Sequence, residues 1–329
     1  MAATKPAPSV IPRQGSWRRV AASYRTEIAI ALAIIVLELG LGLFIPNALT
    51  MGNFSDIAQA TAPLIIMAIG VLLVVITGGI DLSVGSVFSL AGMITGLVMD
   101  IGYSSIIATI CGLLVGMLFG AINGFLVTFA GLAPFVVTLI TYAVAASLAF
   151  IVTNGHSLPI NDQGYWLLNG GHILPGLPNF ALFCIILLIV VEFVLRRVVF
   201  GRWVYASGSS PGAARLLGIP VHLVRFSVYV VSGLLAAFAS VLTVSYISNA
   251  EGTAGSAMML QAIAAVVIGG ASLFGGTGSA IGAFLGALMI TVIQNGVNLI
   301  GINTFWQGSV TGLVILIAVL IDRIGKAKR

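Results

Sequence analysis

Two long stretches of this chain, residues 26–195 and 226–322, contain no lysine and no arginine. The basic residues fall into three clusters outside them: Lys5, Arg13, Arg18, Arg19 and Arg25; Arg196, Arg197, Arg202, Arg215 and Arg225; and Arg323, Lys326, Lys328 and Arg329. A soluble domain uses about 25% charged residues to face water. Here 7% of 329 residues are charged and 59% are hydrophobic. That excludes a soluble enzyme, and it equally excludes a disordered chain. What remains is a membrane protein that presents apolar side chains to lipid, with about 20 residues per helical crossing. The basic clusters abut apolar runs, so they read as topology signals and no nucleic-acid partner is expected. Lys and Arg beside spans stay on the cytoplasmic side.

Both termini and the 196–224 loop are therefore expected in the cytoplasm, which requires an even number of crossings in each stretch free of Lys and Arg. The apolar runs, counted separately, satisfy this. Six lie at 28–45, 60–79, 83–99, 104–129, 133–153 and 178–195, and four at 225–248, 259–275, 280–300 and 305–321. The expected fold is an all-α polytopic membrane protein of about ten transmembrane helices. Its parts are a disordered cytoplasmic segment (1–25), one transmembrane domain (26–322) with a polar outer loop at 154–177, and a basic tail (323–329). The runs 83–99 and 259–275 are short enough to be re-entrant. The N-terminus carries a basic region before its first apolar run, as a signal peptide does. No small-residue cleavage site closes that run, so it reads as an uncleaved span.

Glycine is abundant, at 40 residues. Gly112, Gly116, Gly120 and Gly124 repeat every four positions, as do Gly278, Gly282 and Gly286. Residues four apart share a helix face, so each set is a groove for a partner helix. The groove serves either static packing or a sliding interface. A weaker echo links 74–86, VVITGGIDLSVGS, with 266–279, VVIGGASLFGGTGS: both run from apolar residues through Gly-Gly to Gly-Ser.

Polar groups inside apolar runs are costly and so informative. Glu192 precedes Arg196 by four residues and reads as a local ion pair. Asp81, with Ser83, either caps the following helix or acts on a substrate or proton, and Glu38 lies inside the first span. Asn123, Gln261, Gln294, Asn295 and Asn298 can bridge helices or offer donors and acceptors to sugar hydroxyls. They complete, with Asp81 and Ser83, the candidate set for a translocation path or gate. No catalytic residue, cofactor site or metal site is expected. His156, His172 and His222 are scattered, and Cys111 and Cys184 lie in apolar runs. No G-x-x-x-x-G-K-[ST] stretch exists to cradle a nucleotide triphosphate, so any ATP would be used by another chain.

Three blocks carry a family resemblance. Residues 78–87, GGIDLSVGSV, resemble a signature of bacterial ABC-importer permeases of the ribose/xylose/arabinose type. Residues 200–219, FGRWVYASGSSPGAARLLGI, resemble the family's cytoplasmic loop, and 262–278, AIAAVVIGGASLFGGTG, a third block. Departures are Gly212 for an acid, Leu217 for Ser, Ser209-Ser210 for Gly-Asn, and Met259-Leu260-Gln261 for Glu-Leu-Asp near the expected outer face. The resemblance implies a multi-pass subunit of the bacterial inner membrane that imports a pentose, hexose or related polyol. It implies a cytoplasmic ATP-binding subunit, a periplasmic substrate-binding protein and a second permease subunit as partners, within membrane lipid. It places the ATPase contact on Ala213, Ala214, Arg215, Leu216, Gly218 and Ile219. A self-contained secondary transporter or channel is the competing expectation.

Overall fold

The computed structural model describes residues 24–303 apart from 172 and 175–177, with a few positions between 306 and 316. The expected disordered segment up to residue 23, most of the span at 305–321, the basic tail and His172 lie outside the described residues. The elements are α1 (Arg25–Phe44), α2 (Met51–Ile76), α3 (Val84–Asp100), α4 (Ser105–Thr128), α5 (Pro134–Ile151), β1 (Leu158–Pro159), α6 (Gln163–Gly170), α7 (Asn179–Arg197), α8 (Val199–Ser209), α9 (Pro211–Leu216), α10 (Val221–Ile247), β2 (Asn249–Ala250), α11 (Ser256–Ile268) and α12 (Ala280–Leu299).

Among the described residues, seven helices, α1, α2, α4, α5, α7, α10 and α12, are long and apolar enough to cross a membrane. α3 and α11 have 17 and 13 residues. At 1.5 Å per residue they reach only about 25 and 20 Å, less than the hydrocarbon thickness of about 30 Å. These are the two runs whose shortness the sequence flags. Burial ranks the helices: 83% of the apolar window of α2 is buried, against 28% in α4, α5 and α7 and 17% in α1. So α2 is the inner post, packed against α10, α11 and α12, and the less buried helices present Leu, Ile and Phe outward. Such a surface belongs against lipid or a packed protein partner.

Several boundaries differ from expectation. α2 starts at Met51, nine positions before the apolar run. Its polar first turns are capped by Thr50, whose hydroxyl accepts from the Asn53 amide at 3.3 Å. The cytoplasm-assigned loop contains two helices, α8 and α9. The 154–177 segment contains α6, with Asp162 at its N-cap accepting from Gly164 and Tyr165. It also contains β1, which pairs antiparallel with β2, a small exception to an all-α fold. Met259 packs on α3: a side chain on Gly85, in the first turn of α3, would press on it. The amide of Gly255 donates to Ser89 at 2.9 Å, so the start of α11 is fastened to α3.

The glycine stripes mark the close approaches. Cβ atoms added at Gly116 and Gly120 would strike the Gly233 and Tyr229 carbonyls of α10, and one at Gly124 would strike Phe226. Gly112 faces Thr95 and Ala91 of α3. Gly282 and Gly286 face the Gly269 and Ala265 carbonyls, seating α12 on α11, while Gly278 lies against Leu72 and Ile76 of α2.

Candidate functional site

Both Gly-Gly motifs end a helix in the same way. After α2, Gly78 takes φ +77° and the Gly79 amide donates back to the Val74 carbonyl at 3.0 Å. After α11, Gly270 takes φ +86° and Ala271 donates to the Val266 carbonyl at 3.1 Å. A bond spanning five positions over a left-handed glycine is the Schellman terminus. The echo in the sequence is thus a repeated helix stop, with the left-handed residue first in one glycine pair and second in the other. The two turns touch: the Gly276 amide donates to the Ile76 carbonyl at 2.8 Å.

The first turn is pinned by a buried network. Asp81 is 1% exposed. Its Oδ1 accepts from the Ser83 amide at 3.0 Å and the Ser83 hydroxyl at 2.7 Å, and its Oδ2 from the Ser232 hydroxyl of α10 at 3.1 Å. Asn123 of α4 donates to Ser83 Oγ at 2.7 Å and accepts from Thr141 of α5 at 2.7 Å. Thr138 of α5 donates to the Ile80 carbonyl at 3.2 Å. Asp81 therefore closes an Asx turn before α3 and also ties the α2–α3 break to α10. Tyr229, one turn along α10, keeps its hydroxyl buried without a protein partner.

The other polar candidates do not join this network. Asn295 donates to Asn53 at 2.8 Å and bridges α12 to α2. Gln294 is half-buried and Asn298 exposed on that same helix, and Gln261 is half-buried on α11. Glu38 is buried on α1. Glu192 pairs with Arg196 and also accepts from the Ala280 amide at 2.9 Å, capping α12. Among the described residues, no three His, Cys, Asp or Glu side chains gather as a metal cluster would.

Below the breaks lies α8, which is stitched to both. Its Tyr205 hydroxyl donates to the Gly278 carbonyl at 2.7 Å. Burial and the nearby Glu192 carboxylate push that phenol above its ordinary range, so it stays a donor. Gly208 lies so close to the Ile76 carbonyl and the Gly276 amide that a Cβ would collide with them. Arg225 of α10 donates to the Ser207 carbonyl at 3.3 Å. Nothing in a single sequence marks Tyr205, Gly208, Ser232, Thr138 or Thr141 as parts of one assembly, although Tyr205 and Gly208 fall inside the 200–219 block.

α8 leads directly into α9, a six-residue helix ended by Gly218 at φ +78°, with Ile219 donating to the Ala214 carbonyl at 3.0 Å. Ala214 faces inward at 2% exposed, whereas Leu216 and Leu217 are 91% and 80% exposed. Ala213, Arg215 and Gly218 are exposed too, and Ile219 is half-buried. The result is a stiff apolar knob on the end of the molecule that holds the central basic cluster.

A helical membrane body of this kind, with helix breaks braced from a knob-bearing segment, defines the transmembrane part of a transporter. Residues 53–319 match the family described as the branched-chain amino acid transport system / permease component. A probable ABC transporter permease protein of Sinorhizobium fredii (strain NBRC 101917 / NGR234) is 69% identical over 307 residues, covering 93% of this chain and 92% of that one. The ribose import permease protein of Escherichia coli (strain K12) is 36% identical over 298 residues, covering 88% and 92%. The fructose import permease protein of Rhizobium meliloti is 36% identical over 304 residues, covering 90% and 84%. The chain belongs to this family of ABC transporter permeases, and it is a transport subunit rather than an enzyme.

Proposed function

We propose that this chain is the permease subunit of an ATP-driven importer of a monosaccharide or related polyol in the bacterial inner membrane. It works with a cytoplasmic ATP-binding subunit, a periplasmic substrate-binding protein and a second permease subunit. The substrate class follows from the ribose and fructose import relatives. ATP is consumed by the partner, since the sequence holds no phosphate-cradling loop. The basic clusters favour cytoplasmic termini and an even number of crossings on each side of the 196–224 loop, and a crossing over 305–321 together with α3 and α11, each completed by its flanking loop, would bring the seven long helices to ten.

The observation that carries the reading is the α9 knob. Two adjacent leucines left bare at a basic, cytoplasm-type end call for a partner surface, and a helix closed by a left-handed glycine holds them in fixed geometry. The ATP-binding subunit seats on Ala213, Leu216 and Gly218. Displacement of α9 passes through α8 to both glycine turns as a rigid-body motion. In this cycle Asp81, Ser83 and Asn123 brace the gate rather than bind sugar, a role supported by their burial and mutual hydrogen bonds. Asn295, with Gln294, Asn298 and Gln261 beside it on α12 and α11, holds helices together.

The test is sugar uptake into vesicles containing the assembled transporter. Leu216→Asp and Gly218→Val are expected to abolish uptake while the subunit still inserts and remains folded. Uptake at the unmodified rate by both variants would exclude α9 as the coupling contact.

A further inference from the structure

Beside the knob, a cleft of about 310 Å³ opens between the α4–α5 turn and the start of α10. Arg215, His222 and Arg225 line it, together with Thr128, Leu132 and Pro134. No acidic residue is among its lining. The carboxylates of the neighbouring elements are committed elsewhere: Asp81 accepts from Ser83 and from Ser232 of α10, and Glu192 holds Arg196 and the α12 N-terminus. Arg225 spends one nitrogen on the Ser207 carbonyl, while its Nε is buried without a protein partner. The His222 Nδ1 must donate to the Thr128 carbonyl at 2.9 Å, because a carbonyl oxygen only accepts, which fixes the ring in place.

Two guanidinium groups thus line one cleft, with the His222 ring beside them and no acidic residue in the lining, and such a cationic surface attracts an anion. The walls say which kind. Phe129, Leu132, Phe135 and Val136 around the α4–α5 turn are each about half exposed, at 51%, 48%, 53% and 49%. An apolar rim beside a cationic cleft at a helix end matches a phospholipid, whose acyl chains follow the rim and whose phosphate meets the guanidinium groups. A free phosphate would share the headgroup chemistry but would gain nothing from the rim.

We propose that this cleft binds the headgroup of an anionic phospholipid, with Arg215 and Arg225 as its phosphate ligands. The lipid fills the angle between the α4–α5 turn and α9, and so steadies the base of the knob. This goes beyond the transport reading and does not depend on which solute is carried.

The test uses the full-length chain purified in mild detergent, stripped of lipid, and exposed in parallel to phosphatidylcholine vesicles, mixed phosphatidylcholine–phosphatidylglycerol vesicles, and inorganic phosphate. Native mass spectrometry then counts retained lipid, and thermal unfolding follows stability. The expected result is selective retention of phosphatidylglycerol and a raised unfolding midpoint. Arg225→Gln and, separately, the exposed Arg215→Gln should each weaken retention about fivefold, the worth of one cation near a lipid surface. Equal retention of both lipids, retention unchanged in both variants, or stabilisation by inorganic phosphate without retained phosphatidylglycerol would overturn the proposal.

Discussion

The two glycine turns, 77–83 after α2 and 269–279 after α11, end their helices by the same backbone device but are held in opposite ways. The first is held from within. Asp81 gathers three donors in the bundle interior, and Asn123, Thr138 and Thr141 bring in α4 and α5. The second is held by single contacts, Tyr205 on Gly278, Glu27 on Ser279 and its Gly276 amide on the Ile76 carbonyl. Its tip is open, with Phe274 91% exposed. Similar stops thus give one turn tied into the bundle interior and one tied chiefly to α8 and α1, with α8 touching both. Under the coupling proposed above, the first turn is the pivot and the second the handle.

This contrast can be broken by substitution. Asp81→Ala strands the Ser83 amide and two hydroxyls in the interior and is expected to cost about 3 kcal/mol or more. It should be read as a large fall in the detergent unfolding midpoint and poor recovery of folded protein. Ser279→Ala removes the cap of α12, whose hydroxyl accepts from the Gly282 amide at 3.0 Å, and its bond to Glu27. About 1 kcal/mol is expected, visible as a modest midpoint shift. Phe274→Ala touches only the open tip and should stay within about 0.5 kcal/mol. If Phe274→Ala proved as damaging as Asp81→Ala, the second turn would be core and the distinction between pivot and handle would fail.

Much of the membrane architecture was legible because charge placement and apolar run length are one-dimensional signals. The absence of Lys and Arg from 26–195 and 226–322 shows in the string itself, and so does the shortness of 83–99 and 259–275. The start of α2 was not legible. Asn53, Ser55, Asp56 and Gln59 read as loop, and only the Thr50 cap and the packed neighbours make that stretch helical. Of the candidate polar residues, Asp81, Ser83 and Asn123 do meet, whereas Asn295 with its neighbours belongs to a separate contact. No periodicity could separate these, since Ser83 and Asn123 are forty positions apart and Asp81 and Ser232 are 151 apart. The α8 contacts were hidden for a related reason. Gly208 matters because two backbones converge on it, and that convergence exists only in three dimensions. The α9 knob stood out in sequence through resemblance, and the structure adds the exposed Leu216–Leu217 pair on which the proposed coupling rests.

The most direct measurement is gentle detergent purification of the tagged chain from its native host, with mass spectrometry of every protein that comes with it. A P-loop ATPase in stoichiometric amount, lost when Leu216 is changed to Asp, is the expected result. If the chain emerged alone and carried solute in vesicles without ATP, the α9 knob would have no ATPase to receive and the coupling route through α8 to the glycine turns would be wrong.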